Sequence, residues 1–278
     1  MCLKGRFDKV CISLNLKSKK MKKIIFFLLI ISLKSTAQTI VPTEIINDTF
    51  LIFYEGKSGT CFRISINSND YFITAKHLFD NTDAPNEQRD SLLFNKHVEF
   101  AININNKWLK YKATLLIDKN PNIDIAVLDL NANKQKKNLF DIGSVDCKLT
   151  QEYFFIGFPL DVKEGKDAEI HIPLPLQIIK RGIISAFQSD SVKGNRIYLD
   201  GFCNHGFSGA PVFVKNIKNK SNHRFNIIGV IKGAVEEDKV VKTPGNDFKY
   251  TEDIGISQCV DIRYVYEIIK RKSVIRKK

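Results

Sequence analysis

No Cys-x-x-Cys pair occurs in the 278-residue chain, so a zinc ribbon has no ligand set to build on. No other metal-ligating cluster is visible, and no cofactor is expected. The sequence has no low-complexity segment and no internal repeat, which excludes solenoids and propellers. No long amphipathic helix separates its β-type segments, which disfavours strand–helix–strand units and a parallel sheet. Its longest apolar run, Ile24 to Leu33, falls short of the roughly 20 residues a membrane-spanning helix needs.

A one-signed charge excess is also missing from most of the chain, although the formal net charge is +13. Residues 1–37 hold nine basic residues and one acid, and the last nine residues hold six basic residues and none, which leaves −1 for everything between. The basicity belongs to the two ends, and no nucleic-acid partner is expected. The N-terminal part reads as an export signal. Lys22-Lys23 form a basic region, Ile24–Leu33 an apolar one, and Ser35-Thr36-Ala37 supply small residues for cleavage before Gln38. Residues 1–37 are therefore read as an upstream extension and signal peptide, with translation starting at Met21. The product is periplasmic or secreted, with no stable membrane insertion after cleavage. Cys61, Cys147, Cys203 and Cys259 remain in the mature part. Export permits disulfides among them in any of three connectivities. Equally, they serve as buried apolar side chains.

What is present is a succession of short runs rich in Ile, Phe, Val and Tyr, separated by Asn, Asp, Gly and Lys. The first set is Asp48–Tyr54, Thr60–Ile66, Tyr71–Thr74, Val98–Ile104, Trp108–Ile117 and Ile125–Leu130. The second is Tyr153–Phe158, Gly182–Phe187, Arg196–Leu199, Pro211–Val214, Phe225–Lys232 and Gly255–Val260. The two sets divide near Asp141–Leu149, and their spacing predicts an all-β sandwich or barrels. One helix is expected, at the end. Ile262, Val265, Tyr266 and Ile269 share a helical face, Asp261 is placed to cap it, and Lys270, Arg271 and Lys272 lie in its last turn.

Three segments carry chemistry. Phe72-Ile73-Thr74-Ala75-Lys76-His77 brings a strand into a His. Asn122-Ile123-Asp124-Ile125-Ala126 has an Asp opening an apolar strand. Gly206-Phe207-Ser208-Gly209-Ala210-Pro211 holds a Ser in a glycine-bracketed turn. Each alone is ordinary turn or strand-end chemistry. Together they supply a nucleophile (Ser208), a base (His77) and a carboxylate (Asp124) to fix the imidazole tautomer, in the order His, Asp, Ser. That order differs from the Ser, acid, His of α/β-hydrolases and the Asp, His, Ser of subtilisin. The backbone N–H groups of Gly206 and Ser208 are the candidate oxyanion donors. His97, His171 and His223 lie in polar or loop contexts without a role in catalysis, and His205 is a surface residue or part of a cleft.

The stretch from Asp200 to Pro211 resembles the active-site loop of trypsin-like serine proteases, most closely the bacterial HtrA-type branch. Gly182-Ile183-Ile184-Ser185-Ala186, Ile228-Gly229-Val230 and Gly255-Ile256 resemble its flanking strands, and the similarity runs over about residues 45–270. The resemblance implies two six-stranded antiparallel β-barrels of the chymotrypsin type with a C-terminal helix. Residues 38–145 would form the first barrel, with His77 and Asp124. Residues 146–260 would form the second, with Ser208, and residues 261–278 the helix and basic tail. It also implies a serine endopeptidase acting on polypeptide substrates through an acyl-enzyme.

Phe202, Cys203, Lys232, Gly233 and Ala234 would line the pocket beside the scissile bond. Several positions depart from the family. Ala210 replaces a usual Gly. Phe207 replaces the Asp that pairs with a new N-terminus in the digestive branch, so activation by propeptide cleavage is not implied. Phe202 replaces the Asp that selects Lys or Arg. No C-terminal peptide-binding domain follows the helix. The residues also fit a catalytically silent binding module on the same fold, or a hydrolase of another ester or amide.

Overall fold

Short runs rich in β-branched and aromatic residues form twelve strands, some of them buried at nearly every position, and these close into two rings. The computed structural model describes residues 41–67, 69–80, 93–133, 147–159, 176–216, 225–243 and 246–275. The segment before Gln38 that was read as an export signal, with Cys2 and Cys11, lies outside the described residues, as do His171 and His223.

The first ring comprises β1 (Thr49–Tyr54), β2 (Lys57–Ile66), β3 (Asn69–Thr74), β4 (His97–Ile104), β5 (Lys107–Ile117) and β6 (Ala126–Asn133). They close in the order β1-β2-β3-β6-β5-β4, all antiparallel. The second comprises β7 (Glu152–Gly157), β8 (Ile178–Gln188), β9 (Arg196–Asp200), β10 (Pro211–Lys215), β11 (Phe225–Thr243) and β12 (Asn246–Asp261), closed as β10-β11-β12-β9-β8-β7. Closure leaves neither ring with an edge along its paired length. The fold is all-β and chymotrypsin-like, as the resemblance implied.

Phe72 sits at the centre of the first core, edge-on to Phe50, Phe100 and Tyr111 with ring centroids 5.7–6.1 Å apart. Tyr153, Phe155, Ile184, Leu199, Val212, Ile228 and Cys259 fill the second. Each such side chain contributes about 1.5–3 kcal/mol on burial, so the two cores rather than any polar contact hold the barrels.

Two expectations need correction. The hairpin of β11 and β12 runs well past Lys232 and starts well before Gly255, with Glu236 to Thr243 paired to Asp253 to Asn246. Its outer part is rich in charge and largely exposed, so no buried face marks it as strand. The terminal helix runs from Arg263 to Ile275, so Lys270 and Arg271 precede its last turn. Asp261 does cap it, accepting the Arg263 N–H at 2.9 Å. Ile268 is buried in the packing face and Tyr266 is not. Arg271 bonds Asp118 at 2.6 Å, and Lys272 pairs with the fully buried Asp129. These basic groups thus fasten the helix to the first barrel. Cys61, Cys147, Cys203 and Cys259 are all free thiols, three of them buried, which matches the apolar-side-chain alternative.

Candidate active site

The site forms where the loops after β3, before β6 and before β10 meet. β3 ends at Thr74, and after Ala75 the chain makes one 3-10 turn, Lys76–Phe79, which turns His77 out of the barrel. Leu78 and Phe79 anchor this turn in the core. The loop before β6 brings Asp124 against it, between the buried Ile123 and Ile125. His77 Nδ1 lies 2.7 Å from Asp124 Oδ2, and the His77 backbone N–H donates to Oδ1 at 2.9 Å. Lys76 ties the same two loops by donating to the Pro121 carbonyl at 2.7 Å, and Lys57 holds the His77 carbonyl at 3.2 Å. The imidazole is 44% exposed while the carboxylate is 9% exposed, so one face of the ring is open to a ligand. Burial raises the Asp124 carboxyl. The hydrogen bonds from the His77 ring and N–H and the charges of His77 and Lys232 outweigh that, and its pKa lies below the ordinary value.

Ser208 stands in a turn that the two glycines allow to dock on the first barrel. Gly206 has φ +93°, and a Cβ there would lie 2.2 Å from the Phe158 carbonyl oxygen. Gly209 has φ +89°, and its Cβ would lie 2.1 Å from Thr60 O and 2.2 Å from Thr74 Oγ1. Only glycine fits either place.

Thr60 binds the turn from across the interface. Its N–H donates to Ser208 O at 2.8 Å, its hydroxyl donates to Gly206 O at 2.8 Å, and that hydroxyl accepts the Phe158 N–H at 3.0 Å. With the Gly206 carbonyl turned toward Thr60, the N–H groups of Gly206 and Ser208 have no acceptor among the described residues. The Ser208 hydroxyl itself donates to Lys232 O at 3.3 Å, and no hydrogen bond joins it to His77. Gly209 nonetheless packs against Thr74 and Ala75, just ahead of His77, which brings the two loops together.

Phe207 is fully buried and edge-on to Phe155 at 4.9 Å. Lys180 lies 5.3 Å over its ring, donates to Phe202 O at 2.7 Å and to Asn204 Oδ1 at 2.9 Å, and so braces the loop before the serine. The Tyr153 hydroxyl on Asp200 O and the Ser257 hydroxyl on Gly201 O complete the support.

Of the pocket residues, Phe202 is 59% exposed, with Gly255 beside its ring, and Cys203 is buried. Burial pushes the Cys203 thiol up to about 12. Gly233 and Ala234 continue the strand from Lys232 along the same edge. Lys232 is half-buried, and burial with the nearby Arg196 depresses its ammonium. His205 is exposed on the loop, and the His97 ring lies 3.5 Å from the Thr114 hydroxyl. Sequence reasoning missed Thr60 and Lys180. A polar residue within a strand gives no sign of a partner 146 positions away.

Among curated proteins, none matches the chain. Among solved structures, it is similar to the Rv3671c protease of M. tuberculosis H37Rv in an inactive form, at 13% identity and TM-score 0.48, over 84% of this chain and 97% of that one. It is also similar to the HtrA-type protease AlgW with a tripeptide, at 18% identity and TM-score 0.46, over 81% of this chain and 59% of that one. The sequence profile of the trypsin-like peptidase domain matches residues 59–218, more than half of the 278. That match takes in His77, Asp124 and Ser208, and the chain belongs to the trypsin-like peptidase family, a family of serine-type peptidases.

Proposed function

We propose that the protein is an exported serine endopeptidase, HtrA-like in its active-site loop, with His77, Asp124 and Ser208 as its catalytic triad. The observation that carries this reading is the bidentate grip of Asp124 on His77, beside a serine turn whose Gly206 and Ser208 N–H groups have no acceptor among the described residues. Asp124 accepts from Nδ1, which leaves Nε2 as the base. Rotation of the Ser208 hydroxyl away from Lys232 O would present its proton to Nε2 as the oxygen attacks the scissile carbonyl. The carbonyl oxygen, now negative, takes the N–H groups of Gly206 and Ser208. His77 then gives its proton to the leaving amine, and water repeats the sequence on the acyl-enzyme.

Phe202, where a carboxylate would select cations, and the small Gly233 and Ala234 favour an apolar or small residue before the cut. The half-buried ammonium of Lys232 on the same edge supports the alternative, an acidic side chain before the cut. Export rests on the Lys22–Ala37 pattern, and N-terminal sequencing of secreted material should begin at Gln38.

The hydrogen bond from Ser208 to Lys232 O rather than to His77 favours a second reading, a silent binding module. A fluorophosphonate probe separates the two. Covalent labelling of Ser208 together with peptide-library cleavage supports the peptidase. Labelling without cleavage points to another ester or amide, and no labelling points to the silent module.

A further inference from the structure

In their outer parts β11 and β12 have only each other. The pairing of β11 with β10 ends at Val230, and that of β12 with β9 begins at Ile256. Beyond these points Glu236 to Thr243 pairs with Asp253 to Asn246, and no third strand joins them among the described residues. A two-stranded ribbon is marginal in water unless an apolar face is covered. The two faces of this ribbon differ. On one, the cross-strand pairs run Val241–Phe248, Lys239–Tyr250 and Glu237–Glu252 from the outer end inward, with Ile254 next on β12. Val241, Phe248, Tyr250 and Ile254 are each at least 43% accessible. The opposite face is polar apart from Val240.

The order of levels on the apolar face is self-complementary when two ribbons lie antiparallel, face to face. A two-fold axis across the ribbon, between the Lys239 and Glu237 levels, sets Phe248 over the other copy's Ile254, Lys239 over its Glu237, and the Tyr250 hydroxyl against its Glu252. Lys239 already bridges Glu237 and Glu252 within its own chain. Two lysines and two tyrosine hydroxyls then serve four carboxylates in one network at the centre, with apolar contacts on both sides. Laid end over end instead, the same face stacks Glu237 on Glu252, a like-charge contact. The ribbon face is about 26 Å long and about 10 Å wide. With side-chain relief, two such faces bury on the order of 1,000 Å², the low end of a specific interface.

We propose that this face is a self-association surface, and that two copies of the chain form a two-fold dimer by packing their β11–β12 ribbons antiparallel through Phe248, Tyr250, Ile254 and Lys239. The contact is isologous, so it closes at two copies and leaves no matching face open for a third. Its modest area makes the dimer reversible rather than obligate. The dimer is independent of the chemistry at Ser208.

The test uses the full mature chain with Ser208→Ala, so that self-cleavage cannot blur the result. Sedimentation velocity should find a reversible monomer–dimer equilibrium with Kd of about 1–100 μM. Phe248→Glu, at a side chain already 57% exposed, should weaken it at least about tenfold while melting stays unchanged. A second arm reads the register. Phe248→Cys with Ile254→Cys in one chain should cross-link two copies on mild oxidation, since these positions lie about 20 Å apart within a chain. Phe248→Cys alone should give no cross-link above the parent, because the two copies' positions 248 are also about 20 Å apart in this packing. A chain that stays monomeric to about 1 mM would overturn the proposal. So would a dimer indifferent to Phe248→Glu, failure of the double-cysteine variant to cross-link, or cross-linking by Phe248→Cys alone. A monomer that instead floats with phosphatidylglycerol vesicles, and loses that with Phe248→Glu, would assign the face to a membrane and equally overturn it.

Discussion

The side-chain hydroxyl of Thr60, in the first barrel, donates to the carbonyl oxygen of Gly206, in the second, at 2.8 Å. That bond decides which way the Gly206 carbonyl points, and so leaves the Gly206 and Ser208 N–H groups available to a developing oxyanion. Thr60→Val keeps the shape and removes the donor. It should lower kcat by about 10- to 100-fold with KM little changed, because the loss falls on transition-state stabilisation. Thr60→Ser should restore most of the rate. Loss of stability in Thr60→Val with kcat intact would reduce Thr60 to a packing role.

Phe207 fills the core where a zymogen-type protease holds an ion-paired carboxylate, and Lys180 braces the loop from within the same barrel. Nothing in this arrangement calls for a newly cut N-terminus. Protein beginning with an extra Met before Gln38 should label at Ser208 as fast as protein beginning at Gln38. Labelling that appears only after trimming would refute this.

Much of the framework was legible because it depends on local chemistry. All twelve strands announce themselves by β-branched and aromatic runs, and Gly206 and Gly209 by the bracket around Ser208. The Thr60 bond and the Lys180 brace were not legible, since each joins segments distant in the chain through a single polar atom. The outer β11–β12 hairpin was missed for another reason. Glu236 to Lys239 bury nothing, so no alternation marks them as strand. The face of the terminal helix was misjudged at Tyr266 because Tyr and Ile268 fit a helical stripe equally well on spacing, and only packing against the barrel separates them.

Asp124→Asn should cost roughly 10⁴ in kcat, because the amide fixes the wrong imidazole tautomer. It also gives a signature in stability. The Asp124 carboxyl titrates below its unfolded value, so its contribution is full above about pH 4 and is lost as pH falls through the lower folded value. Denaturant titrations should find wild type more stable than Asp124→Asn at pH 7, with the gap closing as the solution is acidified below the ordinary carboxylate range. A gap that widens in acid would contradict this sign.

The thiols offer a check on the second core. Burial pushes Cys147 up to about 11 and Cys203 to about 12, and it raises Cys61 and Cys259 as well. At pH 8 all four are almost wholly protonated, and thiolate is the reactive form. Folded, reduced protein beginning at Gln38 should therefore resist iodoacetamide at pH 8 and take up its four labels only in denaturant. Rapid native labelling of Cys203 would place it in an open pocket instead.

The central claim is that Ser208 is the nucleophile and His77 its base, and the most direct measurement is the turnover of purified, folded single and double variants on one cleavable peptide. Ser208→Ala and His77→Ala should each lower kcat by about 10⁶, and the double variant should be little worse than either, because the groups act as a unit. Circular dichroism and melting should remain near wild type, since both side chains stand in a cleft. Substantial peptidase activity in folded Ser208→Ala, or losses that multiply in the double variant, would contradict the account.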